Sequence, residues 1–216
     1  MYKGIIFDID GVLVNSEKFY MERRMDFFKS INIKPGSSDI NDFVGSNATK
    51  IWEVLVPEDS QKRERLKKIY LTEYEQNNPI DFEKYANKDL KFVIESLYDS
   101  NIKVSIASAG SVKNIEKFIN DTGVKKYLDF YLSGEELKEN KPDPEIYIKA
   151  SDKMNIKRES LLVVEDSVLG IKSAKRAGLK VVALKPQDNY SVDQSEADLI
   201  IDRLRDLLNI IFKKRI

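Results

Sequence analysis

Gly4-Ile5-Ile6-Phe7-Asp8-Ile9-Asp10-Gly11 sets a short apolar run directly against two acids and a glycine, and this junction decides the fold. A short run of consecutive apolar residues rich in isoleucine is what a strand buried on both faces looks like. Similar runs recur at Ile102 to Ala107, Leu161 to Val164, Lys180 to Leu184 and Asp198 to Ile201. Helical periodicity lies between them: Leu90, Val93, Ile94 and Leu97, then Ile115, Phe118 and Ile119, then Ile146, Ala150 and Met154. Gly123 and Gly178 stand where left-handed helix ends are expected. Strand and helix in alternation predict an α/β fold, a doubly wound parallel-sheet Rossmann-like core.

One stretch breaks the alternation. From Asn15 to Asn78 the apolar residues give helical signals without a buried strand: Phe19, Tyr20, Phe27, Phe28 and Ile31, then Ile51, Trp52 and Leu55, then Leu66, Ile69, Tyr70 and Tyr74. Pro35-Gly36-Ser37-Ser38 marks a turn inside it, and Asn77-Asn78-Pro79 punctuates its end. The reading is therefore a core of residues 1–14 and 82–216, with residues 15–81 inserted after the first strand as an α-helical cap. Joined by only two crossings, the cap is expected to hinge as a lid, with Trp52, Phe19, Tyr20 and Phe43 as its interior.

Composition narrows the chemistry. The 216 residues balance 36 Lys and Arg against 36 Asp and Glu. No net field then draws the protein to nucleic acid or to an anionic membrane. With neither cysteine nor histidine, thiolate catalysis, a Ser/His triad and the usual zinc ligands are excluded, leaving carboxylates, lysine and hydroxyls. The opening run is too short and too quickly charged for a signal peptide or a span, which gives the expectation of a cytoplasmic protein. The last five residues, FKKRI, read as a solvated helix end, and a monomer is expected.

Four segments carry the chemical signal. Asp8 and Asp10 stand where the first strand ends, and Gly11 lets the chain turn there so that both acids reach one rim. Glu165 and Asp166 end another strand in Val163-Val164-Glu165-Asp166-Ser167, shortly before Gly170. Acids at the carboxyl ends of strands in an open parallel sheet gather in the crevice where such folds bind ligands. Crowded there, they need a hard cation, and an all-oxygen set suits magnesium. Ser105-Ile106-Ala107-Ser108-Ala109-Gly110-Ser111 brings hydroxyls and free N–H groups to a helix start, a cradle for an anion. Lys141, followed by Pro142-Asp143-Pro144, supplies a cation. Each segment alone has a plainer reading as a turn, a helix cap or a surface lysine; together they fall at the ends of successive sheet segments.

With these segments, FDIDGVLVNSE, SIASAGS, KPDPEIY and VVEDSVLGI, the chain resembles the haloacid dehalogenase superfamily, in its branch of phosphatases and beta-phosphoglucomutase-like proteins with a helical cap after the first strand. The resemblance implies that Asp8 is the nucleophile that becomes an aspartyl phosphate. It implies that Asp10 protonates the leaving alcohol and then activates water, a division of labour that an acid-crowded site favours. Magnesium would be held by Asp8, the Asp10 main-chain carbonyl and Asp166, with Glu165 assisting. Ser108 and Lys141 would hold the phosphoryl oxygens, offsetting the charge that makes a carboxylate a poor nucleophile towards phosphate. Asp10 points to phosphoryl transfer, because expelling halide requires no acid at that place.

The resemblance is imperfect in the cap. Mutase relatives are similar to this chain but have a histidine in the first cap helix and an arginine after a cap glycine. Here Tyr20 and the segment Val44-Gly45-Ser46-Asn47-Ala48-Thr49-Lys50 stand at those places. A mutase must hold a bisphosphate by a second cationic clamp, a part Lys50 or Lys113 could play only in part. The expected activity is hydrolysis of a small phosphomonoester, a sugar phosphate for choice, with a hexose phosphate mutase as the alternative and a non-catalytic binding protein as the remote one. Asn15, Asn47, Lys50, Ala109, Lys113 and Asn114 are the candidate substrate contacts.

Overall fold

The computed structural model describes all residues except Gly45, Asn47, Asn189 and 213–216, and the backbone alone of Ala48. Asn47 and nearly all of the FKKRI terminus therefore lie outside the described residues. The strands are β1 (Gly4–Phe7), β2 (Lys103–Ser108), β3 (Phe130–Ser133), β4 (Leu161–Glu165), β5 (Lys180–Leu184) and β6 (Leu199–Ile201). The helices before β2 are α1 (Ser16–Ser30), α2 (Ala48–Leu55), α3 (Ser60–Ile69), α4 (Glu75–Asn77), α5 (Phe82–Tyr85) and α6 (Leu90–Asp99). Those after it are α7 (Val112–Thr122), α8 (Glu145–Met154), α9 (Val168–Arg176) and α10 (Leu207–Phe212). Among the described residues no helix is long and apolar enough to cross a membrane.

The six strands form one parallel sheet in the order β3-β2-β1-β4-β5-β6. The chain first adds strands on one side of β1 and then crosses to build outwards on the other. The strand order thus reverses between β1 and β4, the place where a sheet of this kind opens a crevice. Gly4–Phe7 is buried at every position and pairs in register with both neighbours, Phe7 lying opposite Ile106 and Val164. Ile6, Ala107, Ile146, Tyr147, Ala150, Met154 and Val163 join one packed cluster on a face of the sheet. Removing such side chains from water at about 25 cal/mol per Å² is what fixes the helices on the sheet.

Helix boundaries follow local chemistry. Ser111 caps α7 by accepting from Asn114 N at 3.3 Å, and Ser167 caps α9 by accepting from Gly170 N at 3.0 Å. Gly123 ends α7 with φ 69°, a left-handed conformation that a side chain would strain. The sequence reading has no strand at Phe130–Ser133, yet β3 forms there. It lies at the sheet edge with three of its four residues only half-buried, so its apolar run is too weak to stand out.

Residues Ser16–Asp81, with Asp188–Ser191, make a second compact unit. Phe27, Phe28, Phe43, Trp52, Leu55, Val56, Leu66 and Tyr70 are its core. The Phe27 ring meets Trp52, Tyr70 and Tyr74 in edge-on contacts at 5.2–6.4 Å between centroids. A π-helical turn at Tyr70–Tyr74 carries α3 into α4. Arg23 is buried in this unit. Its Nε donates to Tyr70 Oη at 2.8 Å, Nη1 donates to Asn78 O at 3.3 Å, and the guanidinium pairs with Glu75. A buried charge survives only with such a full set of partners.

Candidate active site

Where β1 ends, Asp8 N donates to Val164 O at 3.0 Å, carrying the ladder one residue further and seating Asp8 beside Glu165. The chain then folds back tightly: Ile9 O accepts from Val12, Leu13 and Val14, and Gly11 N donates to Val14 O. Gly11 has φ +75°, and a Cβ there would lie 1.8 Å from Asp166 Oδ2. Only glycine allows both the turn and the close approach of the Asp166 carboxylate. The Asp8, Glu165 and Asp166 side chains, all buried, each bring an oxygen within 4.8 Å of the others.

Lys141 completes the cluster. Its ammonium donates to Asp8 Oδ1 at 2.6 Å, Glu165 Oε1 at 2.7 Å and Ala107 O at 3.2 Å, so its three protons are all engaged. The segment that presents it is held from α9, where Ser173 Oγ donates to Asp143 O at 2.6 Å and Arg176 Nη1 donates to Pro142 O at 3.1 Å. Asp143 Oδ1 accepts from Glu145 N at 2.9 Å where α8 begins.

Glu165 is the most heavily hydrogen-bonded of the acids. Oε1 accepts from Lys141 Nζ and from Tyr147 Oη, each at 2.7 Å. Oε2 accepts from Asp166 N, Ser167 N and Ser167 Oγ at 3.1, 3.3 and 3.1 Å. Five donors fill the acceptor capacity of one carboxylate. Asp8 differs, since among the described residues only its Oδ1 takes a hydrogen bond and the Asp166 carboxylate takes none.

The protonation energies reflect this division. Burial, then Glu165 and Asp10, push the Asp8 carboxyl up to about 8 against the pull of Lys141. Burial and the charges of Glu165, Asp8 and Asp10 raise Asp166 well above the usual range. Burial would raise Glu165 too, but Lys141 and the hydrogen-bond donors hold it below its ordinary value. Burial would lower the Lys141 ammonium, yet Asp8 and Glu165 hold it well above the ordinary lysine value. One lysine therefore does not offset three buried acids. The oxygens left with spare acceptor capacity, Asp8 Oδ2 and the Asp166 carboxylate, fit a hard oxygen-seeking cation.

Ser108 is buried at the end of β2, its Oγ accepting from Gly110 N at 3.0 Å. Ala109 beside it is exposed. Lys113 and Asn114 are exposed on the first turn of α7, and the Val112 N–H at that helix start is taken by Glu135 Oε2 at 3.1 Å. Asn15 is half-buried, its N–H donating to Tyr85 O at 2.8 Å. Lys50 belongs to the second unit, exposed, with its ammonium 4.0 Å from Glu53. The hydrogen bonds thus unite Asp8, Lys141 and Glu165, the carboxylates of Asp8, Glu165 and Asp166 converge, and Lys113 and Asn114 stay on the surface.

Two residues of the cluster escape the sequence reading. Tyr147 reaches Glu165 from the first turn of α8, and its position in KPDPEIY, one turn after Pro144, is the signal that could have found it. Gln194 is buried, and its Nε2 donates to Asp166 O at 2.7 Å and Leu184 O at 2.8 Å. It comes from a polar loop after β5 that carries no comparable signal.

A phosphorylated carbohydrates phosphatase of Thermotoga maritima is 26% identical over 179 residues, which is 82% of this chain and 82% of that protein. A candidate pyrophosphatase, PpaX of Clostridium perfringens, is 23% identical over 218 residues and 99% of each chain. The crystal structure of a candidate beta-phosphoglucomutase from Thermotoga maritima superposes with a TM-score of 0.77 at 25% identity, over 99% of each chain. The sequence also matches the family described as haloacid dehalogenase-like hydrolase over residues 5–184. Because that match runs from β1 to the end of β5, the chain belongs to the haloacid dehalogenase-like hydrolases and is an enzyme of that family.

Proposed function

We propose that this enzyme is a magnesium-dependent phosphatase of small phosphomonoesters, sugar phosphates above all, working through an aspartyl phosphate on Asp8. The observation that carries this reading is Asp8 itself. It is buried at the sheet's switch point, with one oxygen held by Lys141 and the other without a hydrogen bond among the described residues. The names of relatives agree with phosphate chemistry, one acting on phosphorylated carbohydrates.

In this mechanism Asp8 Oδ2 attacks phosphorus as the ester P–O bond breaks, and Asp10 gives its proton to the departing alcohol oxygen. Asp10 then takes a proton from water as that water displaces the Asp8 carboxylate, releasing orthophosphate. Lys141 fixes the Asp8 rotamer and contributes positive charge. To reach a phosphoryl oxygen it must exchange a present acceptor, and Ala107 O at 3.2 Å is the longest of the three. Ser108 borders the position of the phosphoryl group. Asp8, Asp166 and the Asp10 carbonyl would hold magnesium, with Glu165 behind them; bound there, the ion would offset the charge of the phosphoryl group.

The test is incubation with magnesium and a panel of sugar phosphates, scored for free phosphate and for isomerised ester. Free phosphate that disappears with a chelator or in Asp8→Asn, with the melting temperature retained, is the expected result. Isomer without phosphate release would replace hydrolysis by mutase chemistry, and turnover in Asp8→Asn would refute the mechanism.

A further inference from the structure

Tyr147 is fully buried in the cluster of Ile6, Ala107, Ile146 and Val163, a setting in which phenylalanine would pack equally well. Its hydroxyl needs a reason, because burying one without a partner destabilises the fold. The partner is Glu165 Oε1, the same oxygen that accepts from Lys141 Nζ, both at 2.7 Å. The Lys141 ammonium also lies 5.0 Å from the centre of the Tyr147 ring. One side chain therefore touches both members of the ion pair behind Asp8, its hydroxyl on the anion and its π face towards the cation.

We propose that Tyr147 is a positioning residue, which shares Glu165 Oε1 with Lys141 so that the ammonium remains divided between Glu165 and Asp8. Without the hydroxyl, Oε1 has Lys141 as its only donor, and the ammonium is drawn towards Glu165 and away from Asp8 Oδ1. The ground-state site still binds a phosphate ester, but the nucleophile loses part of the hydrogen bond that fixes its rotamer. The effect belongs in kcat, not in KM. This inference rests on the phosphatase reading only for its kinetic part.

Three measurements on magnesium-loaded protein test it. With p-nitrophenyl phosphate, Tyr147→Phe is expected to lower kcat about tenfold, with KM within about twofold and the melting temperature within a few degrees. In a Glu165→Gln background the same substitution should add little, because the shared oxygen has already lost its charge. In protein labelled with ¹⁵N-lysine, the Lys141 ammonium protons should exchange with water faster in Tyr147→Phe than in the parent. An unchanged kcat, a full tenfold loss in the Glu165→Gln background, or unaltered exchange would each overturn the proposal. If the parent hydrolyses no phosphate ester, the phosphatase reading falls, and the exchange measurement alone decides for or against Tyr147.

Discussion

Gly170→Ala ought to stabilise an ordinary helix, and here the reverse is expected. The new methyl would lie 1.8 Å from Glu165 Oε1, 2.0 Å from its Cδ and 2.2 Å from its Oε2, where ordinary contact starts at 3.4 Å. The carboxylate must retreat by roughly 1.5 Å, enough to forfeit its close contacts. Glu165 is fully buried, so it has no solvent to move into, and retreat breaks its bonds to Lys141, Tyr147 and the Asp166-Ser167 backbone. Disrupting a buried pair in this way destabilises by about 3–5 kcal/mol. The intrinsic preference of a helix for alanine over glycine returns up to about 1 kcal/mol. The net expectation is a loss of about 2–4 kcal/mol, which for a chain of this length lowers the melting temperature by roughly 5–15 °C. Urea unfolding of parent and variant, compared at equal m, measures it directly. Leu169→Ala is the control: it alters an exposed neighbour on the same helix and should stay within about 0.5 kcal/mol. A Gly170→Ala protein as stable as its parent would refute the close seat of Glu165 against α9.

Asp89 is buried, with Oδ1 accepting from Arg205 Nε at 2.8 Å, and these hydrogen bonds hold its carboxyl below the ordinary value. Because the folded carboxyl titrates below the unfolded one, its stabilisation is complete above pH about 4 and vanishes as pH falls through the folded value. Asp89→Asn should therefore lose about 1–2 kcal/mol at pH 7, a figure reduced for the half-exposed Arg205, and should flatten the acid limb of the stability curve; equal loss at pH 2 and pH 7 would contradict this. Ser105 Oγ, fully buried on β2, has no hydrogen-bond partner among the described residues, so Ser105→Ala should raise unfolding free energy by about 1 kcal/mol, and a drop in the urea midpoint would count against it.

The central sheet was legible because strands buried on both faces must be apolar without interruption. β1 obeys that demand throughout, and β4 and β5 obey it apart from Glu165 at the end of the one and the exposed Lys180 at the start of the other. β3 was not, because a half-buried edge strand tolerates Tyr131 and gives no continuous run. Asp8, Lys141 and Asp166 could be proposed from sequence since charge at strand ends and beside prolines is locally conspicuous. What sequence could not convey was how Glu165 spends its oxygens. Whether an acid faces a cation, a phenol or two backbone N–H groups is decided by residues far apart in the chain, as the 2.7 Å contact from Tyr147 shows. Gln194 is hidden for the same reason, since one glutamine in a polar loop differs from its neighbours only by what it reaches.

The entrance and exit of the helical unit lie side by side. Asn15 N donates to Tyr85 O at 2.8 Å, Asn87 N donates to Leu13 O at 2.8 Å, and Val14 bridges Ala86. An insert whose ends are already neighbours asks nothing of the sheet that receives it. Its length enters the stability of the core only through loop closure, which grows with the logarithm of that length. Residues 16–81 can therefore be lengthened, shortened or exchanged between these paired ends without rethreading a strand of the sheet.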